Sequence, residues 1–504
     1  MEAKNNSSSN PVPNDEFVEV ETSAGTVRGR WTTEETAGGE ARWASFLGIP
    51  FAEPPVGDLR FMAPVPKAHW DGVRDALQYG ASAQRGDSGI TLIPEPSVPG
   101  ESTLNVNVFT PSPKEADEGA SLPVLVWIHG GGYAAGSPAS PWYNGRAFNR
   151  DGVVTVTISY RLGFDGFGWM KGAPMNRGVL DWLLALEWVQ QNVASFGGDP
   201  DRVTIAGQSA GGGAVLALLG MEKAQHLFSK VYSISGALAD VTMTDAKDLG
   251  LRMAREAGIV PTRAAWSTLS EQRILEIQAK TSKLSFRQIR KFMDSGLGLG
   301  PAIDGEVITR PSTESIAAGV GADKPLLLGT TDDEFTMIFG EQEKLVRLVP
   351  KSLLLKLVGV PKDAQKAYTE DNADVAAKDN ATFAGRAMTD RMFRAPTIAL
   401  VKDRGSAPTW LYRFAWPSGK FGFAEHCLDV PFFFDCLDGP AVEPLAGDNP
   451  PQQLADEVHA DAVCFVKDGD PGWPKYTERD PVAHVFDTPS YQENPGYASV
   501  RALL

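Results

Sequence analysis

The chain has 504 residues, 42% of them apolar and 22% charged, a globular composition with enough apolar side chains for a large core. Its net charge of −16 at pH 7 works against nucleic acid and anionic membrane surfaces as partners. The three cysteines, Cys427, Cys436 and Cys464, are too few and odd in number for a secreted disulfide framework. The N-terminus lacks the apolar core of a signal peptide, and no run is long enough to span a bilayer. These features point to reduced thiols in a cytoplasmic protein.

Residues 1–15 are rich in serine and asparagine and read as a disordered tail. Residues 16–504 read as one α/β domain. Phe17–Thr22 and Gly25–Trp31 alternate like a hairpin at a sheet edge. Phe46–Phe61, dense in proline and glycine, reads as a fixed surface path without long regular structure. Residues 84–100 form a Pro/Gly loop with an apolar tip, Ile90 to Ile93, which must pack on the body or edge a cleft. Leu104–Phe109 alternates as a strand. Leu122–Ile128 and Val153–Ile158 are continuous apolar runs, the mark of strands buried on both faces.

Val179–Val193 follows as a helix with Leu180, Leu183, Leu184, Leu186, Trp188 and Val189 on its apolar side. Strands alternating with helices imply a large, mostly parallel sheet covered on both faces. The stretches at about 240–320 and 340–410 read as helical insertions roofing the sheet's C-terminal edge. Further strands are expected at Leu326–Thr331 and Thr409–Phe414, and a helix from about Pro451 to Val466.

The centre of the chain is Val203-Thr-Ile-Ala-Gly-Gln-Ser-Ala-Gly-Gly212. A strand runs into Gly207-Gln-Ser-Ala-Gly211 and then into an apolar helix. Glycine on either side of Ser209 suits a nucleophile elbow, whose strained turn leaves no room for flanking side chains. Serine needs a base in contact with it, and histidine is the natural one near neutral pH. In the order serine, acid, histidine, His426 is the candidate, since it lies in a loop just beyond the strand 409–414. His484 sits in a strand pattern and His459 in a helix pattern, so both read as structural.

Thr331-Asp-Asp-Glu334 offers three carboxylates after a buried strand, and spacing does not choose among Asp332, Asp333 and Glu334. Gly131 and Gly132, in His129-Gly-Gly-Gly-Tyr133, and Ala210 are placed to supply N–H groups to an oxyanion. With no H-E-x-x-H, C-x-x-C or P-loop, no cofactor or metal is expected for activity.

These pieces together resemble the type-B carboxylesterase family, which includes cholinesterases and para-nitrobenzyl esterases and has the α/β-hydrolase fold. The matches are Phe46–Phe61, His129–Tyr133, Tyr160-Arg-Leu-Gly163, Phe196–Ile205 and Gly207–Gly212. The resemblance implies that Glu334 is the acid of a Ser209–Glu334–His426 triad. It also implies that Asp429, three residues after the histidine, supports it, and that Arg60 pairs with Glu101 and Arg161 with Asp199.

Two departures are informative. Gln208 stands where the family usually has glutamate. Gly100-Glu-Ser-Thr-Leu104 lacks the cysteine of an N-terminal disulfide. With Gln208 uncharged and no tryptophan between Trp70 and Trp127, a choline ester is not an expected substrate.

The expected activity is therefore hydrolysis of apolar, uncharged aryl or alkyl esters through an acyl-enzyme. Carbamates, activated amides or phthalate diesters are the alternative substrates, and a non-catalytic binding module is the remote one. Tyr133, Phe335, Phe339, Leu92 and Ile93 are expected to line the pocket or its rim. The expected partner is a small ester, with the chain a monomer or weak homo-oligomer.

Overall fold

The computed structural model describes residues 16–36, 39–83, 92–113, 121–236, 238–281, 298–340 and 346–504. The expected tail and the tip residues Ile90 and Thr91 lie outside this range. Among the described residues, thirteen strands form one sheet. They are β1 (Phe17–Thr22), β2 (Gly25–Thr36), β3 (Gly39–Pro50), β4 (Val73–Asp75), β5 (Asn105–Thr110), β6 (Leu122–Ile128), β7 (Val154–Ile158), β8 (Gly198–Gln208), β9 (Lys230–Ile234), β12 (Leu326–Thr331), β13 (Thr409–Phe414), β14 (Ala483–Phe486) and β15 (Tyr491–Glu493). The strands β10 (Val241–Thr242) and β11 (Ala302–Ile303) pair apart from it.

The order is β1-β2-β3-β5-β7-β6-β8-β9-β12-β13-β14-β15, with β4 on β2. Every pairing from β7 through β14 is parallel, and the flanks are antiparallel apart from the parallel β2–β4 pair. The parallel centre is buried on both faces: β6 is apolar throughout, and β7 buries Thr155 and Thr157 along with its valines. This is the α/β-hydrolase architecture, with the strand order turning back on itself at β6 and β7.

Register then assembles one sheet edge. Ile128 pairs with Gly207, Gln208 with Ile234, Ile234 with Gly329, and Thr331 with Phe414. The turns that follow β6, β8, β12 and β13 therefore leave the sheet on the same C-terminal side, where open α/β sheets place their sites.

Two expectations need correction. Phe46–Phe61 begins inside β3, where Phe46 and Ile49 are fully buried and a register shift between them accommodates Gly48 at φ 71°. Strand pairing satisfies this backbone until Pro50, and only the remainder is an irregular path. In the helix Arg177–Asn192 the buried side is Val179, Trp182, Ala185, Leu186 and Val189, joined by Trp188, while Leu180, Leu183 and Leu184 are only half-buried. Val179 and Trp182 open the buried stripe at i, i+3 spacing, and the leucines lie beside it.

Candidate active site

Ser209 sits where β8 ends and the helix Ala210–Leu219 begins. Its φ of 57° and ψ of −120° are strained for a residue with a Cβ, as an elbow requires. The flanking glycines make that turn possible. A Cβ on Gly207 would meet the Gly211 carbonyl carbon at 2.5 Å, and one on Gly211 would meet Ile128 O at 2.0 Å. From Val203 to Gly220 every residue except Ser209 is buried, so the elbow lifts one side chain out of the core.

The turn after β6 lies against the elbow. A Cβ on Gly130 would stand 3.2 Å from Ser209 Cβ and 2.6 Å from Gln208 O. Gly131 and Gly132 follow with φ of 104° and 60°. Among the described residues, neither glycine donates its N–H to another group, and neither does Ala210 at the start of its helix. Three N–H groups without a partner among the described residues therefore lie on this edge, two in the turn beside the elbow and one at the start of the elbow's helix.

The three carboxylates after β12 are sorted by their partners. Arg413 binds Asp332 with Nη2 at 2.6 Å and Nε at 2.9 Å, and Arg386 and Arg394 stand 3.8 and 3.9 Å away. Burial would raise the Asp332 pKa, but these guanidinium groups hold it well below the usual carboxylate range. Asp333 takes the Arg386 fork at 3.1 and 3.2 Å. Glu334 is wholly buried and turns the other way. Its Oε1 accepts from Thr331 N–H at 3.0 Å, and its Oε2 accepts a close hydrogen bond from His426 Nδ1.

His426 is held twice more, its backbone N–H donating to Glu334 O and to Glu425 Oε1. Burial penalises the imidazolium. The Cys427 sulfur and the Glu334 carboxylate outweigh that penalty, so the pKa lies above the usual histidine range. On the far side of the ring, Gln208 Nε2 lies 3.2 Å from His426 Nε2. Asp429 is buried nearby with its Oδ2 accepting from Tyr412 OH at 3.0 Å. Burial and the Glu334 charge push its pKa up to about 7.

Sequence reasoning missed three neighbours of this histidine. The Glu425 carboxyl is fully buried, and burial pushes its pKa up to about 8. Its position directly before the histidine was the available signal. Phe393 packs with its centroid 5.6 Å from the His426 ring, and it is delivered by a π-helical turn, Asp390–Arg394, inside a longer helical run. Nothing in a linear pattern marks that turn. Cys427 follows the histidine at φ 68°, and burial raises its thiol pKa.

The expected pocket residues divide. Phe335 is half-buried with its ring centroid 4.8 Å from His426. Phe339 is half-buried and packs in the roof clusters with Leu354, Ala384 and Phe383. Tyr133, in contrast, is fully buried against Phe167 and Trp182, so it is a core residue and not a pocket wall. Ile93 is buried in the cluster of Trp127, Trp142 and Leu428, so it anchors the loop and does not form a rim, while Leu92 is half-buried and packs against the same cluster.

The two expected ion pairs are also corrected. Arg161 pairs with Asp181 at 2.7 Å, a buried bond from the helix Arg177–Asn192. Asp199 instead accepts from Asp201 N–H. Arg60 donates to Leu269 O and stacks on Phe61, and it makes no ion pair with Glu101.

An α/β-hydrolase with a serine elbow, a glycine turn beside it and a buried carboxylate–histidine pair is the class that the fold and this edge define. The model of the carboxylesterase family matches residues 16–497, and the chain belongs to that family. It is 33% identical to the para-nitrobenzyl esterase of Bacillus subtilis, over 96% of this chain and 98% of that one. It is 32% identical to the phenmedipham hydrolase of Pseudarthrobacter oxydans, over 91% and 95%. A solved carboxylesterase of Geobacillus stearothermophilus superimposes with a TM-score of 0.82 at 31% identity, covering 96% of this chain and 99% of that one. No described helix is long and apolar enough to cross a membrane.

Proposed function

We propose that this carboxylesterase uses Ser209 as nucleophile, His426 as general base and Glu334 as the acid that orients it, on apolar, uncharged aryl or alkyl esters. The contact between Glu334 Oε2 and His426 Nδ1 carries this reading. With Nδ1–H committed to the carboxylate, Nε2 is left as an acceptor facing the elbow. Ser209 Oγ attacks the ester carbonyl while Nε2 takes its proton. The carbonyl oxygen becomes an anion met by the N–H groups of Gly131, Gly132 and Ala210. The imidazolium then protonates the departing alcohol, leaving an acyl-serine. Water, activated by the same histidine, releases the acid and restores the serine.

Ser209→Ala should lower kcat for a para-nitrophenyl ester by roughly 10^5-fold or more without changing the circular dichroism spectrum. An organophosphate should label Ser209 in the native chain. Residual turnover near the native level, or labelling elsewhere, would sink the assignment. Substrate range is read from a panel of para-nitrophenyl esters of increasing acyl length, with a phenylcarbamate, an activated amide and a dialkyl phthalate. The relative named phenmedipham hydrolase supports adding phenmedipham to that panel.

A further inference from the structure

A second cluster of chemically competent side chains lies apart from the Ser209 site and is independent of the ester reading. Glu457 and Asp461 stand one turn apart on the helix Gln452–Asp468, so their carboxylates leave the same face. His484 comes from β14, paired to β13 through Tyr412. One ligand atom from each of the three residues lies within 4.8 Å of the others.

The surroundings leave this cluster electrostatically incomplete. Among the described residues neither carboxylate has a lysine or arginine ion-pair partner. Glu457 Oε2 accepts from Ser490 Oγ at 2.8 Å, while its Oε1 lies 3.4 Å from His484 Nε2. The His484 side chain is only 12% exposed. Both ring nitrogens are shut off from solvent and neither makes a well-formed hydrogen bond. Trp473 stacks on the ring at 4.6 Å between centroids and 16° between planes, fixing its orientation. An imidazole whose ring nitrogens make no well-formed hydrogen bond, beside two carboxylates that no lysine or arginine neutralises among the described residues, is an arrangement that a cation would complete.

We propose that Glu457, Asp461 and His484 bind a first-row divalent cation of the zinc or cobalt type. Two oxygens and one imidazole nitrogen suit such ions, whereas calcium and magnesium favour all-oxygen shells. Bonds of about 2.0–2.2 Å require the three ligand atoms to draw together by roughly an ångström. The 37% exposure of the Glu457 side chain gives the ion a path in. The bound ion ties the C-terminal helix to the sheet edge and takes no part in ester chemistry, so it stabilises the native chain by binding it selectively.

The test uses the full chain stripped with chelator, titrated with CoCl2 and ZnCl2 by calorimetry and followed by thermal melting. One equivalent should bind with about micromolar Kd and raise Tm. His484→Ala and Asp461→Asn should each weaken binding at least about tenfold and abolish the Tm rise. Para-nitrophenyl ester turnover should be the same with and without metal. Asp461→Asn keeps the side chain's shape, so a folding defect in His484→Ala leaves the test intact. Cys464, exposed on the same helix, is a competing soft ligand, and Cys464→Ser should bind like the native chain. The proposal is overturned by an absence of binding at millimolar metal, by binding that survives both ligand substitutions, or by binding lost with Cys464→Ser alone.

Discussion

Gln208 reaches His426 on the side of the ring that a reacting serine must use, with 3.2 Å between the two nitrogens. Its amide N–H can donate to Nε2 at rest, but being uncharged it adds little to the stability of the imidazolium. Gln208→Glu would place a carboxylate about 3 Å from Nε2 and raise the histidine pKa further. Because the base must be neutral to act, the rise of kcat/KM with pH should move to higher pH, and the rate at pH 7 should fall. A pH–rate profile measures this, and superimposable curves would show that residue 208 is not beside the working base. At this scale the elbow that carries the proposed nucleophile is local and therefore legible: Ser209, its glycines and its buried helix lie within a few residues. The acid is not local. Asp332, Asp333 and Glu334 look alike in a linear reading, and they are told apart by Arg386, Arg394, Arg413 and His426, which arrive from 53 to 92 residues further on.

Between elements, the junction that follows β12 is held by charge. Asp332 is a buried acid clasped by guanidinium groups from two other segments, so Asp332→Asn removes the carboxylate that Arg413 grips with two nitrogens and leaves Arg413 with Glu493, Arg386 with Asp333 and Arg394 with Asp390. The expected cost is about 3–5 kcal/mol, read from urea unfolding. Its pKa is depressed in the folded chain, so this stability is present above the ordinary aspartate value near 3.8 and is lost as pH falls below it. A pH titration of the urea midpoint that stays flat from 5 down to about 3 would contradict this account. The loop that carries Ile93 makes the opposite point. Its Pro/Gly composition was legible and so was the need to bury its tip, but composition does not say against what. With Ile93 in the cluster of Trp127 and Trp142, Ile93→Ala should cost about 2–4 kcal/mol of stability. It should shift KM for short and long acyl esters in parallel. A KM change confined to long-chain esters would return the residue to the pocket.

Over the whole molecule, the mostly parallel sheet with helices on both faces is legible in the alternation of strands and helices, whereas the face that each helix buries is not. Leu180, Leu183 and Leu184 compete with Val179, Trp182 and Ala185 for that role, and only the packed sheet decides. The cysteines carry a consequence of a different kind. Cys427 and Cys436 are buried and Cys464 is exposed, and all three are free thiols. A maleimide dye should therefore attach to one sulfur in the native chain and to three in the unfolded chain. Mass spectrometry of the adducts, sampled along a denaturant series, then counts unfolded molecules directly, with a reporter on the C-terminal helix and no label on the serine.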